Sequence, residues 1–182
     1  GGKRWNYYRN ISESHSVPLI DGKREDETGK ASVIGFDSND AEARVSIDLT
    51  DAYRDRAKQV TRDVALTGLR KAVVVRDRYE LTSHHDIVWA MTTDADIAIL
   101  PDGAAALSLD GKKLIARVIE PKGVAFVMES AERPGPEKPN KGVRRLLLRV
   151  NDATGNTNIS VMLAPVWGDG AVESIESKLL AN

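Results

Sequence analysis

The sequence predicts an all-β domain, an antiparallel sandwich of two sheets with about twelve strands and little helix. Three observations predict it. Apolar residues recur at every second position through much of the chain. Turn-forming residues interrupt these runs at short intervals, and no segment carries a long helical period.

Each element follows from its pattern. Ala43, Val45, Ile47 and Leu49 alternate with Arg44, Ser46 and Asp48, the mark of a half-buried strand. Residues 112–119 alternate in the same way around Leu114, Ala116 and Val118, and 143–150 and 158–163 give two more such runs. Residues 60–66 and 72–75 are β-branched and apolar enough for inner strands. Asp110-Gly111 marks a two-residue hairpin between 104–109 and 112–119. Asp21-Gly22, Pro101-Asp102-Gly103, Asn151-Asp152 and Thr154-Gly155 mark further turns. Residues 51–58 allow one helical turn or two, and 172–180 carry a weak helical pattern. Residues 131–140, with Pro134, Pro136 and Pro139, read as a surface loop, because proline cannot donate to a ladder.

Composition bounds the function. The chain has 182 residues, 41% apolar and 29% charged, enough for one ordinary domain with a real core. A net charge of −1 argues against nucleic acid as partner. No apolar run approaches the roughly 18 residues of a membrane helix, so no membrane partner is expected. The absence of cysteine excludes disulfide frameworks and cysteine zinc sites.

Few residues are candidates for chemistry. Histidines stand at His15, His84 and His85. His15 follows Tyr7, Tyr8, Arg9 and Glu13 within nine residues. An imidazole exchanges protons near neutral pH, an arginine grips a carboxylate or sulfate bidentately, and flat rings suit sugar faces. The combination fits an anionic carbohydrate. His84-His85 reads as a polar turn before a strand at 87–92, since adjacent strand residues face opposite ways. Arg62 lies on the same strand face as Val60 and Val64, where a charge needs a partner. That partner is either Asp77, in a buried ion pair, or a ligand carboxylate. Trp89 reads as core, and Trp5 is the best sugar platform.

The stretch Arg4-Trp5-Asn6-Tyr7-Tyr8-Arg9, then Glu13-Ser14-His15-Ser16-Val17-Pro18-Leu19-Ile20-Asp21-Gly22-Lys23, resembles the opening of the C-terminal β domain in heparinase II/III-like proteins. Later segments agree in order: Ile34-Gly35-Phe36-Asp37, Val45-Ser46-Ile47-Asp48-Leu49-Thr50-Asp51-Ala52-Tyr53, Val60-Thr61-Arg62-Asp63-Val64, Val73-Val74-Val75-Arg76-Asp77 and Ile87-Val88-Trp89-Ala90-Met91. The resemblance covers nearly the whole chain.

It implies a supersandwich-like β domain that follows an α/α toroid lying outside this sequence. The family cleaves uronic-acid polysaccharides of the heparan sulfate or alginate type by β-elimination in a cleft between the two domains. The expected partners are an acidic polysaccharide and that toroid, and the expected location is the bacterial periplasm or cell exterior. By the resemblance His15 takes part in proton transfer, with Tyr8, Arg9, Arg62 and Trp5 as substrate-binding candidates. Ser14 and Ser16 stand where the family has glycine and asparagine. Val17 and the segment Trp89 to Thr93 lack the histidines that some members use for zinc, so neither metal nor cofactor is expected. Residues 1–182 are expected to form one domain that turns over no substrate alone. The alternative is a non-catalytic carbohydrate-binding or scaffold module.

Overall fold

The computed structural model describes residues 2–166. Its twelve strands form two antiparallel sheets. The smaller runs β1-β6-β11-β10, built from β1 (Leu19–Ile20), β6 (His85–Thr93), β11 (Arg144–Ala153) and β10 (Phe126–Ser130). The larger begins with β2 (Ser32–Ser38), β3 (Ala43–Asp48), β4 (Ala57–Thr67) and β5 (Ala72–Leu81). It continues through β12 (Asn156–Pro165), β9 (Lys112–Glu120), β8 (Ala105–Leu109) and β7 (Asp96–Ile99).

The alternating residues do what their period requires. Ile87, Trp89, Phe126, Leu146 and Leu148 of the small sheet meet Val60, Tyr79, Ile159 and Val161 of the large one. Burying a leucine such as Leu146 or Leu148 contributes about 1.5–3 kcal/mol. Trp89 is core, tilted against Phe126 with ring centroids 6.2 Å apart. The Asp110-Gly111 hairpin forms, both residues at positive φ, with Leu109 paired to Lys112.

Three local expectations are corrected. Asn151-Asp152 makes no chain reversal. Asp152 sits at φ 54° in a bulge where the β11–β6 register shifts between Val150 and Ala153, and the reversal comes at Gly155. Residues 51–58 give only a 3-10 turn at Thr50–Ala52, started by the Asp48 carboxylate accepting the Thr50 N–H at 2.9 Å. The strand ladder takes over at Ala57. Residues 131–140 do form an irregular loop, but Ala131 and Asn140 are buried. The Asn140 amide donates to the Ala131 carbonyl at 3.3 Å, which ties the loop's ends together. The pattern at 172–180 lies outside the described residues.

Candidate functional site

Before β1 the chain makes three short 3-10 turns, Gly2–Asn6, Tyr8–Asn10 and Ser12–Ser14, and then turns extended. His15 is the first extended residue, at φ −104° and ψ 167°. Its side chain is exposed and hydrogen-bonds to none of the described residues.

Donors from both sheets fix the backbone on either side of it. β1 is an edge strand, so its outward carbonyls need partners other than a ladder. Arg62 donates to the Ser16 carbonyl at 2.9 Å, and the Tyr53 hydroxyl to that of Pro18 at 2.9 Å. Arg56, itself buried, donates to the carbonyls of Ile20, Lys23 and Arg24. On the small-sheet side the Ser16 hydroxyl accepts the Thr92 N–H at 3.1 Å. The Ser14 hydroxyl donates to the Ile11 carbonyl at 2.9 Å. Both serines that depart from the resembled motif therefore hold the histidine loop.

Arg62 can reach Ser16 because Asp77 holds it. The pair is bidentate, Nε to Oδ1 at 2.6 Å and Nη2 to Oδ2 at 2.7 Å, with Asp77 fully buried. Burial alone would lower the arginine's pKa, but the Asp77 carboxylate beside it raises it, so the guanidinium stays charged. The ion-pair reading of Arg62 is the one observed. Burial, then the nearby carboxylates, push the Tyr53 hydroxyl well above its ordinary range, so it stays a neutral donor.

The N-terminal segment and the proline-rich loop interlock. The Tyr8 N–H donates to Glu137 at 2.8 Å, Arg9 Nε donates to the Asn140 side-chain oxygen, and the Arg133 guanidinium lies 3.8 Å above the Tyr8 ring centroid. Tyr8 is buried, its hydroxyl donating to the Glu13 carbonyl at 3.2 Å. Its ring carries Arg133 in place of an open face for a sugar. The seam encloses a cleft of about 320 Å³, lined by Tyr8, Arg9, Ser14, His15, Thr92, Asn140 and Val143. His15 also borders a second cleft, of about 490 Å³, whose wall carries Arg24, Glu25, Asp26 and Glu27. The first presents Arg9 and amide groups, the second mostly carboxylates, so an anionic ligand is favoured in the first. The side chain of Trp5 lies outside what the structure describes.

Gly29 shapes the second cleft. A Cβ there would come within 2.6 Å of Ala52 Cα and 2.9 Å of the Asp51 carbonyl, both backbone. Gly29→Ala is expected to cost about 1–3 kcal/mol in chemical denaturation.

The other histidines serve the fold. His84 Nδ1 lies 2.8 Å from Asp152 and His85 Nδ1 lies 2.8 Å from Asp21, in opposite directions as extended neighbours must be. The His85 contact holds the Asp21 carboxyl below its ordinary value. A lowered carboxylate contributes stability above its unfolded pKa, near 3.9, and loses it as pH falls through the folded value. Asp21→Asn should therefore lower the denaturation midpoint at pH 7, with the gap to wild type closing in acid. Among the described residues, no three of His, Cys, Asp and Glu gather as metal ligands, and no helix is long and apolar enough to cross a membrane.

No known family model matches the sequence, and no curated protein matches it. The fold, however, recurs in solved structures. The chain is similar to heparan sulfate lyase HepC from Pedobacter heparinus, with TM-score 0.73 and 14% identity, covering 90% of this chain and 26% of that one. It is similar to a heparinase III, with TM-score 0.70 and 12% identity, covering 96% of this chain and 26% of that one. The chain has the fold of a heparinase III segment. A second heparinase III structure agrees, with TM-score 0.70 and 14% identity over 91% of this chain and 26% of that one. The chain thus spans about a quarter of the length of the heparinase structures it matches.

Sequence reading singled out His15 and Arg9, and the structure brings them to one cleft. It sets Arg62 behind the loop that carries His15. Sequence reading named Ser16 only as a departure from the motif, and it missed Thr92 and Asn140, whose roles depend on strand register and on a loop folding back.

Proposed function

We propose that residues 1–182 form one domain, the C-terminal β sandwich of a heparinase II/III-like polysaccharide lyase that cleaves a uronic-acid glycan of the heparan sulfate or alginate type by β-elimination. The observation that carries this reading is an exposed imidazole, unpartnered among the described residues, on a clamped backbone beside a cleft that offers Arg9 and Asn140 to an anion. The likeness in fold to heparan sulfate lyase supports it.

The chemistry asks for such a group. A base takes the C5 proton of the uronate. The C5–H electrons form the C4=C5 bond, the C4–O bond breaks, and the leaving oxygen takes a proton. His15 is the proton-transfer group on this domain's side of the glycan. Positive charge or hydrogen bonds at the carboxylate stabilise the enolate-like charge that builds as the C5 proton leaves. The remaining groups come from the toroid, so the chain alone binds weakly and does not turn over. A glycan of this size places the enzyme outside the cytoplasm, in the periplasm or at the cell exterior.

The test is to follow the ultraviolet absorbance of unsaturated uronate with the toroid-bearing enzyme on heparan sulfate, hyaluronan, chondroitin and alginate. A rise on one glycan is the expected result and names the substrate. No rise on any, together with glycan binding by the 182-residue chain alone, would make this a carbohydrate-binding module instead.

A further inference from the structure

The outer face of the small sheet holds an arginine that takes no part in clamping the His15 loop. Leu146 and Leu148 of β11 point into the core, so Arg145 and Leu147 point to the opposite face. Both are nonetheless buried, Leu147 fully and Arg145 to 8% exposure. Arg145 pairs in register with Thr92 of β6, and its other neighbour is Glu129 of β10. The β1–β6 register sets Leu19 opposite Val88. Carried back along the chain, it sets His15 level with Thr92, and the Ser16 hydroxyl on the Thr92 N–H agrees. One row thus crosses the sheet: His15, Thr92, Arg145, Glu129.

Two side chains in the middle of that row carry buried polar atoms without partners among the described residues. Arg145 Nε and Nη2 and Thr92 Oγ1 are buried, and none has a hydrogen-bond partner among the described residues. Among the described residues Arg145's one ionic contact, to Glu129, is long at 3.9 Å, and Glu129 is already engaged by Arg149 at 2.5 Å. Leaving a charged donor buried and unpaired is costly, so such groups are normally satisfied. Thr92 lines the His15 cleft together with Arg9 and Asn140, and Arg145 lies beside Thr92 on the next strand, just beyond that lining.

We propose that Arg145 and Thr92 form an anion subsite on the outer face of the small sheet, entered from the His15 cleft past Thr92, which takes the carboxylate or sulfate of one sugar. Arg145 supplies two N–H donors and Thr92 a hydroxyl, with Arg9 completing the positive side. This rests on the lyase reading for its meaning: a uronate carboxylate held here lies in the same row of the sheet as the His15 imidazole. The anion binding itself does not rest on that reading.

The experiment titrates the 182-residue chain with glucuronate, with a sulfated glucosamine and with glucose, read by amide and arginine Nε–H NMR. Saturable shifts at Thr92 and Arg145 are expected with an anionic sugar and not with glucose. Which anion shifts them more tells carboxylate from sulfate. Arg145→Met should weaken that binding about ten- to a hundredfold, the worth of charge-assisted bonds. It should also raise the thermal midpoint, because it removes an unpaired buried charge. Thr92→Val should weaken binding with the arginine intact. Absence of saturable shifts, or an Arg145→Met variant that melts lower and binds unchanged, would overturn the subsite and make Arg145 a structural partner of Glu129. Failure of the lyase reading looks different: the shifts remain and the toroid-bearing enzyme releases no unsaturated product.

Discussion

Asp77→Ala is expected to destabilise the fold by about 3–5 kcal/mol, because it strands a mostly buried guanidinium. Asp77 is fully buried, and its two oxygens take two Arg62 donors. The Tyr79 hydroxyl donates to the same carboxylate at 3.3 Å and would lose its acceptor as well. The double variant Arg62→Met with Asp77→Leu should recover most of that loss, since it removes both charges and leaves neither uncompensated. It does not recover the bond from Arg62 to the Ser16 carbonyl. The double variant should therefore be stable but have a looser His15 loop. Urea unfolding gives the stability, and exchange of the His15 and Ser16 amides gives the loop. A double variant as unstable as Asp77→Ala would mean that the surroundings need the charges themselves.

His15→Ala in the toroid-bearing enzyme is expected to lower kcat by about 10²–10⁴, the usual worth of a positioned proton-transfer group. The same change should leave the unfolding free energy within about 0.5 kcal/mol of wild type, as for surface substitutions away from special features. The two expectations belong together. The imidazole is exposed and bonds to none of the described residues, so the fold does not use it. The backbone around it is held by Arg62, Thr92, Ser12 and Ile11, none of which contacts the ring through these bonds. A fall in activity with a matching fall in stability would instead make His15 structural.

Period and punctuation carried the fold well, because both are local. Alternation at 43–49 and 112–119 gave strands, and Asp110-Gly111 gave the hairpin it forms, since a two-residue turn is decided by its own φ angles. Asn151-Asp152 failed for an instructive reason: a residue that tolerates positive φ serves a bulge as readily as a turn. The site was legible only in part. Arg62 stood out as a charge on an apolar strand face, and Asp77 answered it. Arg145 carried the same signal, sharing a face with Leu147 in Arg144-Arg145-Leu146-Leu147-Leu148, and it went unread beside the stronger apolar run. The burial of Tyr8 under Arg133 and the role of Asn140 were not legible, because both depend on the loop at 131–140 folding back onto the N-terminal segment. No local pattern encodes a contact across some 130 positions of chain.

The most direct test of the central claim is the rate at which the toroid-bearing enzyme releases unsaturated uronate from heparan sulfate, wild type beside His15→Ala at matched folding. The wild type should release it steadily, and the variant should lose about a hundredfold or more. Equal release by both would contradict the place given to His15.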